Sequence, residues 1–282
     1  MNGWPSKTRS LLGQIRYQLL MLWRTPVALF FTLVLPLMML VLFNSLFGDA
    51  KIQIEGGGEW PVRQFYTGGL AVFTAVSATF TNLANMVPIR REEGVLKRWR
   101  GTPLSTGTYI AGFIGSALVL AVFGVLLMLG IGFLAYGLEF DAAKLPAAVL
   151  TFVVGVCAFA AMGMAVAALV PSASSASAAA NAILLPLAFV SNVFIVTDDS
   201  PGWMEAIGDF FPLKPFVASF QDAFNPFVEA PAFHWDKLGY VAIWGLVGLA
   251  VAMKFFKWEP AAGAQTTRRR RATRQAATAI GD

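Results

Sequence analysis

Cysteine and histidine are almost missing from this sequence of 282 residues, which contains one of each, Cys157 and His234. One cysteine cannot form an intrachain disulfide, and this pair cannot supply the clustered ligands of a zinc or iron–sulfur site. The H-E-x-x-H and G-x-S-x-G patterns, which place a catalytic metal or nucleophile, are also missing. We therefore predict no metal site and no catalytic residue. Cys157 lies within an apolar run, so we expect it to be a buried core residue.

Charged residues are scarce as well. They make up 13% of the chain, hydrophobic residues make up 57%, and the mean hydropathy is +0.64. Soluble chains are about 45–50% apolar and about 25% charged. Several uncharged stretches reach the ~20 residues that a helix needs to cross a bilayer. The composition therefore predicts an all-α integral membrane protein.

Six apolar segments predict six transmembrane helices, over about residues 26–47, 64–88, 107–138, 145–170, 177–197 and 237–257. The uncharged stretch 145–197 is too long for one span, and Pro171 followed by serines marks its turn. Before the first span, leucines at helical spacing opposite Arg9 and Arg16 predict an amphipathic interfacial helix over residues 8–24. Residues 1–258 thus form one six-span domain. Residues 259–282, with the arginine run 268–271, are a basic tail that we expect to be disordered.

The basic residues are sorted by side of the membrane. With the N-terminus and C-terminus on the same side, 16 of the 21 lysines and arginines fall on that side. Lysine and arginine concentrate in cytoplasmic loops, so this distribution predicts that both termini are cytoplasmic. The net positive charge of the chain can be explained without a nucleic-acid partner, because the basic residues are distributed according to the membrane topology.

The most strongly charged segment between spans follows span 2 and reads IRREEGVLKRWRGTPLS, residues 89–105. Residues 90–100 can form a short helix with Val95, Leu96 and Trp99 on one face and charges around them. The helix should end at Gly101, before Pro103. An apolar stripe on a charged cytoplasmic helix indicates a docking surface. A loop that serves only topology would not need the stripe.

This segment resembles the cytoplasmic signature of type 2 ATP-binding-cassette (ABC) exporter permeases, and in particular the daunorubicin-resistance-like drug and lipid exporters. The similarity rests on REEGVLKR at 91–98 and TPLS at 102–105, and it extends to the whole six-span topology. Val95 stands where threonine is frequent in the family, a mild departure. The resemblance implies that the matching residues dock an ATPase and transmit its closure to the spans. They are Arg91, Glu92, Glu93, Gly94, Leu96, Lys97, Arg98, Thr102 and Pro103.

The chain has no G-x-x-x-x-G-K-[ST] phosphate loop, so we predict that it binds no cofactor and is not itself an enzyme. The resemblance implies two copies of a cytoplasmic ABC ATPase subunit, which would bind ATP and magnesium. It also implies a second permease, identical in a homodimer or related in a heterodimer. The expected function is export of an amphiphilic or hydrophobic cargo, a drug or a lipid or glycolipid, across a bacterial cell membrane. Membrane lipids are further expected partners, and nucleic acid is not.

The segment between spans 5 and 6 is too polar to cross the membrane and too aromatic for an ordinary loop. Phe216, Phe220 and Phe224 are spaced four residues apart, which puts them on one face of a helix. The resemblance places short re-entrant helices here and implies that these three phenylalanines form an outer gate. The alternative is that they only anchor the segment at the interface. His234 lacks companion ligands, so we assign it no metal role.

A stand-alone secondary carrier or channel for a small amphiphile is the alternative function. Such proteins place ionisable side chains within their spans. Between their ends, the six predicted segments contain none apart from tyrosine and Cys157, because Lys237, Lys254 and Lys257 lie at the two ends of the last segment. An intramembrane enzyme would need a nucleophile with its base, or a metal cluster, at membrane depth. The sequence therefore favours the exporter subunit.

Overall fold

The computed structural model describes residues 6–48, 50–54, 58–95, 106–194 and 201–256. Within these ranges, six helices are long and apolar enough to cross a membrane, and we number them as spans 1 to 6. They are Phe30–Phe47, Val62–Glu92, Ile110–Tyr136, Ala142–Leu169, Ala173–Val190 and Trp235–Phe255. The predicted fold class, an all-α integral membrane protein with six spans, is confirmed. The predicted tail lies outside the described residues.

Spans 2, 4 and 6 all begin at one end of the bundle and finish at the other. We call the end where they finish the basic end, because span 2 carries Arg90 and Arg91 there. We call the opposite end the hairpin end, because the helices Gly202–Phe210 and Leu213–Gln221 form a helical hairpin there. Span 5 finishes at Val190, short of the predicted residue 197, and residues 195–200 are not among those described.

The N-terminal helix, Lys7–Trp23, begins at Ser6, whose side chain accepts a hydrogen bond from the Arg9 amide at 3.3 Å. It lies against span 3, where Gly112 and Gly115 leave room for the side chains of Gln14 and Ile15. The helix is thereby held at the basic end of the bundle. Span 1 follows it through Pro26–Leu29, a π-helical turn at Phe30–Val34, and Leu35–Phe47.

Span 2 is the centre of the bundle. Of the residues in its most apolar stretch, 78% are buried, against 17% in span 1. It consists of Val62–Val76, a π-helical turn at Ser77–Thr81, and Asn82–Glu92. The buried hydroxyls of Thr67, Thr74 and Thr79 each donate to a carbonyl one turn earlier, at 2.6–2.8 Å. Span 2 therefore satisfies these polar groups internally, as a buried membrane helix must.

Spans 4 and 6 pack closely through small residues. A Cβ added at Gly245 would lie 2.9 Å from the Ala158 Cα, and one added at Gly248 would lie 2.9 Å from the Met162 nitrogen. Small residues let membrane helices approach until their backbones touch. Van der Waals attraction then holds the helices together, because in lipid there is no hydrophobic driving force between them. These two contacts also fix the register, because Gly245 of span 6 lies level with Ala158 of span 4.

Two features differ from the sequence expectations. Strands β1 (Lys51–Ile54) and β2 (Gly58–Pro61) form an antiparallel hairpin after span 1, with Lys51 paired to Glu59 at 2.5 Å. Isolated four-residue strands carry little signal in a sequence dominated by apolar helices. Cys157 is exposed on the surface of span 4 rather than buried in the core. In a membrane helix an apolar run does not distinguish the lipid-facing side from the packed side.

Candidate functional sites at the two ends of the bundle

Span 2 stops at the basic end because Gly94 turns the chain. The helix ends at Glu92. The Glu93 amide donates to the Ile89 carbonyl at 2.9 Å, and the Gly94 amide donates to the Arg91 carbonyl at 3.2 Å. Gly94 has φ 72°, in the left-handed region that glycine adopts without strain. The predicted short helix starting at Arg90 is therefore wrong in its start, because Arg90 and Arg91 belong to the last turn of span 2.

Arg91 caps the end of span 4. Its side chain is buried, its Nη2 donates to the Val170 carbonyl at 2.5 Å, and its Nη1 lies 3.5 Å from the Ala167 carbonyl. The last carbonyls of a helix have no partner within the helix and carry partial negative charge. A guanidinium is well suited to this position, because it presents several donors in a fixed fork.

Glu92 caps the start of span 5. Its Oε1 accepts a hydrogen bond from the Ala173 amide at 2.7 Å. Ser172 also caps this helix, since its Oγ accepts from the Ser175 amide at 3.1 Å. The free amides and positive dipole at a helix N-terminus favour a carboxylate. Arg91 and Glu92 together hold the turn between spans 4 and 5 to the end of span 2, and we call this arrangement the latch.

Glu93 has a different environment from Glu92. Its side chain is 49% exposed, and its Oε2 lies 3.4 Å from Nη1 of Arg90. The Arg90 side chain is 11% exposed and borders a cavity of about 30 Å³ shared with Gln18 of the N-terminal helix. Such a volume holds about one or two water molecules. Glu93 is thus the carboxylate of this segment that faces outward.

The predicted coupling residues fall into three groups. Arg91 and Glu92 form the latch, and Glu93 and Gly94 lie at the exposed turn beyond it. Leu96, Lys97, Arg98, Thr102 and Pro103 lie outside the described residues. Docking of an ATPase by this segment stays a prediction. The sequence did not reveal that two of its members bond the backbone of a turn about 80 residues further along.

At the hairpin end, helices Gly202–Phe210 and Leu213–Gln221 form a helical hairpin that we call the inserted hairpin. Phe210 and Phe211 contact Trp244 of span 6 with ring centroids 5.6 Å apart. Trp244 adjoins Gly245, which lies level with Ala158 of span 4. The α-helix of span 4 begins at Leu145, 13 residues before Ala158. At 1.5 Å per residue the tip of the hairpin reaches about 20 Å along span 4. This is the midpoint of that helix.

Phe216, Phe220 and Phe224 share one buried face, as their spacing predicts. The ring of Phe216 stacks on Phe159 with centroids 6.0 Å apart, and Phe220 lies 6.5 Å from Phe152. Phe224 lies 5.8 Å from Phe140. The contacts run along span 4 and its preceding loop, inside the bundle rather than at its rim. Their role as a gate stays a prediction.

Polar residues that sequence reasoning missed fasten the inserted hairpin. Buried Lys144 donates to the Asn225 carbonyl at 2.7 Å. The buried amide of Gln221 donates to the Phe65 carbonyl at 3.0 Å, and Gly68 and Gly69 leave space for its side chain. In the sequence, Lys144 is indistinguishable from an ordinary loop lysine. Its partner, the carbonyl of Asn225, is brought to it only by the fold.

A charged recess of about 410 Å³ lies on one side of the inserted hairpin. Asp209 and Lys214 flank the hairpin tip, form an ion pair at 2.8 Å, and line the recess with Asp236, Lys237 and Tyr240. The Asp209 side chain is 69% exposed. The spans are almost free of charge, but the inserted hairpin carries an ion pair beside them to the level of mid-span 4.

The comparisons with known proteins agree with this architecture. The family model described as ABC-2 type transporter matches residues 12–225, which covers spans 1 to 5 and the inserted hairpin. The chain belongs to this family of membrane transport proteins.

One relative is the daunorubicin resistance ABC transporter permease protein DrrB1 of Streptomyces coeruleorubidus. It is 33% identical over 196 residues, 67% of this chain and 65% of the relative. The match thus spans a little less than two thirds of the relative's own length.

Proposed function

We propose that this chain is the membrane-embedded permease subunit of an ABC exporter, which moves an amphiphilic or hydrophobic cargo out of the cytoplasm. Membership of the ABC-2 type family supports the transporter class. The relative is named for daunorubicin resistance, which supports a drug or a lipid-like molecule as cargo. The energy source would be a separate ATPase subunit, in two copies that bind ATP and magnesium.

The latch is the observation that carries the coupling mechanism. A force applied at the exposed turn of Glu93 and Gly94 would meet the last turn of span 2 directly. Arg91 and Glu92 bond the end of span 4 and the start of span 5, so the same force would move three spans together. Rigid helices joined by strong polar contacts convert a push at one end into a tilt. This arrangement supports docking of the ATPase beside Glu93, on the segment 93–103.

The distribution of charge supports the orientation. The basic end carries Arg90 and Arg91. The sequence that follows adds Lys97, Arg98 and Arg100, and cytoplasmic segments are rich in such residues. We infer that both termini are cytoplasmic, that the membrane is a bacterial cell membrane, and that the inserted hairpin lies toward the outside. There Phe216, Phe220 and Phe224 would have to move for cargo to leave. Two permeases, identical or related, would together enclose the pathway.

Affinity purification of the tagged chain from native membranes, with mass spectrometry of bound proteins and an ATPase assay, tests the proposal. We expect recovery of a soluble ABC ATPase, with hydrolysis that depends on both subunits. A chain variant with Glu93→Lys provides the control, because it should insert normally and recover less ATPase. Purification of an active transporter without any ATPase would instead identify a carrier and overturn the proposal.

A further inference from the structure

A large apolar groove lies under the inserted hairpin. Spans 4, 5 and 6 form its walls, represented by Val166, Leu187 and Val247, and Ile207 of the hairpin forms its roof. Its volume is about 820 Å³, within the ~300–1,000 Å³ of typical small-molecule sites. Among the described residues, every side chain that lines the groove is aliphatic, aromatic or a methionine, apart from one glycine. Such a lining can hold a hydrocarbon and cannot orient a polar solute.

The groove opens sideways, between spans 5 and 6. Ile183 is 38% exposed, Val247 is 52% exposed and Leu169 is 59% exposed, although all three line it. These positions lie within helices that are long and apolar enough to cross a membrane, so the surrounding solvent is lipid. The molecules that reach the opening are therefore the acyl chains of the bilayer.

The inserted hairpin closes the groove toward the hairpin end. The Tyr240 hydroxyl donates to the Phe210 carbonyl at 2.5 Å, and the rings of Phe210 and Phe211 pack on Trp244. These contacts separate the apolar groove from the charged recess described above. On span 5 the lining residues 182–190 lie in the half nearer the hairpin end, beneath the inserted hairpin. On span 4 they run from Met162 to Leu169 and so reach the basic end. The hairpin closes the first of these two ends, which leaves the basic end for an occupant to enter from the leaflet there.

A cation marks the mouth of the groove at that end. Lys254 is exposed and lies one helical turn beyond Val251, the last lining residue of span 6, on the same side of the helix. Its Nζ lies 5.5 Å from the centre of the Phe255 ring. This exposed lysine gives the mouth a positive charge. Basic residues just outside an apolar span attract anionic lipid headgroups.

From these observations we infer that the groove is a binding site for an anionic phospholipid of the basic-end leaflet. One acyl chain lies between spans 5 and 6 beneath the inserted hairpin, and the phosphate lies at Lys254. The lipid is a resident of the surrounding bilayer that fills the gap between two spans and supports the hairpin from below. The inference stands apart from the proposed function, because lipid binding needs no ATPase and is measured on the permease alone.

Photolabelling of the full chain in nanodiscs tests this site. The probe is phosphatidylglycerol with a diazirine in one acyl chain, diluted in unlabelled phosphatidylcholine. We expect labelled peptides from spans 4, 5 and 6, concentrated on the residues of the groove. Val247→Trp should reduce this labelling at least three-fold by filling the groove. Leu246→Trp is the matched control, because Leu246 is 65% exposed on the same helix and does not line the groove.

The headgroup is tested by competition. Unlabelled phosphatidylglycerol should displace the probe at several-fold lower concentration than phosphatidylcholine, and Lys254→Gln should remove most of this difference. Equal labelling of the Val247→Trp and Leu246→Trp variants would overturn the site, as would labels scattered evenly over the lipid-facing surface. A second copy of the chain in the groove would also overturn it. That occupant would appear as a disulfide between copies through Val247→Cys in a Cys157→Ser background.

Discussion

Arg91 and Glu92 direct their charges to the backbone of other helices, while Glu93, the next residue, points its carboxylate outward. Adjacent residues of one charged motif thus have different physical tasks. Arg91 and Glu92 replace helix-end hydrogen bonds that water would make in a soluble protein. The exposed carboxylate remains available to a partner. This difference can be tested with the same substitution at neighbouring positions.

Glu92→Ala should lower the free energy of unfolding by about 0.5–2 kcal/mol, because the first amides of span 5 lose their cap. Glu93→Ala should change it by less than about 0.5 kcal/mol, as expected for an exposed side chain. Thermal unfolding of both variants in detergent measures the difference. If Glu93 contacts the ATPase, its variant should show the larger loss of transport despite its normal stability. Equal destabilisation by both variants would contradict the latch.

Gly94 offers a second test at the residue scale, because its φ of 72° penalises side chains unequally. Gly94→Val should cost about 1–2 kcal/mol and impair coupling, since branched side chains clash in the left-handed region. Gly94→Asn should retain most transport, because asparagine tolerates this conformation. Transport assays on vesicles with matched permease content compare the two. Equal transport by both variants would mean that the turn does not need its observed geometry.

The inserted hairpin is the element whose position depends most on packing. Gly155 lies against Phe216 so closely that a Cβ added there would overlap the aromatic ring. Phe216 is fully buried, and its ring also stacks on Phe159. Span 4 therefore holds the hairpin through one small residue that receives one large side chain. This pair is suited to a double-mutant cycle.

Phe216→Ala should destabilise the protein by about 3–5 kcal/mol through the cavity it leaves. Gly155→Leu should destabilise it by displacing the ring. The double variant should lose clearly less free energy of unfolding than the two single variants lose together. The reason is that the new leucine can enter the space that the phenylalanine leaves. Gly130→Leu is the control for a larger residue in a span, since a Cβ there meets nothing within 4 Å. Additive effects of the pair would argue against the contact.

The sequence predicts elements better than their contacts. The six spans follow from composition alone, because a bilayer core accepts little except long apolar helices. The spacing of Phe216, Phe220 and Phe224 also predicts their shared face. The resemblance implies re-entrant helices between spans 5 and 6, but the depth that the inserted hairpin reaches could not be predicted. It depends on ring contacts with spans 4 and 6, such as those of Phe216 and Phe210, and no local pattern encodes them. The roles of Arg91 and Lys144 depend on carbonyls about 80 residues away, and no local pattern encodes such a distance.

On the scale of the whole molecule, the two ends differ in charge and in construction. The basic end is fastened by the latch, and the hairpin end is filled by aromatic packing with Lys144 and Gln221 at its edge. The mobile step of transport should therefore concentrate at the hairpin end, while the basic end moves as a unit. This assignment of a mobile hairpin end and a rigid basic end requires that the basic end faces the cytoplasm.

Cysteine labelling in intact cells tests that orientation. In a Cys157→Ser background, Glu139→Cys at the hairpin end should react with a membrane-impermeant maleimide. Glu93→Cys should react only after the membrane is permeabilised. Both residues are exposed in the structure, so a difference in labelling reports sidedness rather than burial. The reversed pattern would invert the topology and with it the direction of transport.

The ion pair of Asp209 and Lys214 lines the charged recess at the level of mid-span 4, and this position has an electrical consequence. Water in the recess around these charges would be at the electrical potential of the outer solution as far as the hairpin tip. The membrane voltage, about 2.3 kcal/mol per unit charge at 100 mV, would then fall across the basic half alone. The local field would be about twice that of an ordinary bilayer. A charged cargo should therefore feel the voltage in the first half of its passage, and transport rates in vesicles with an imposed potassium diffusion potential would measure this dependence.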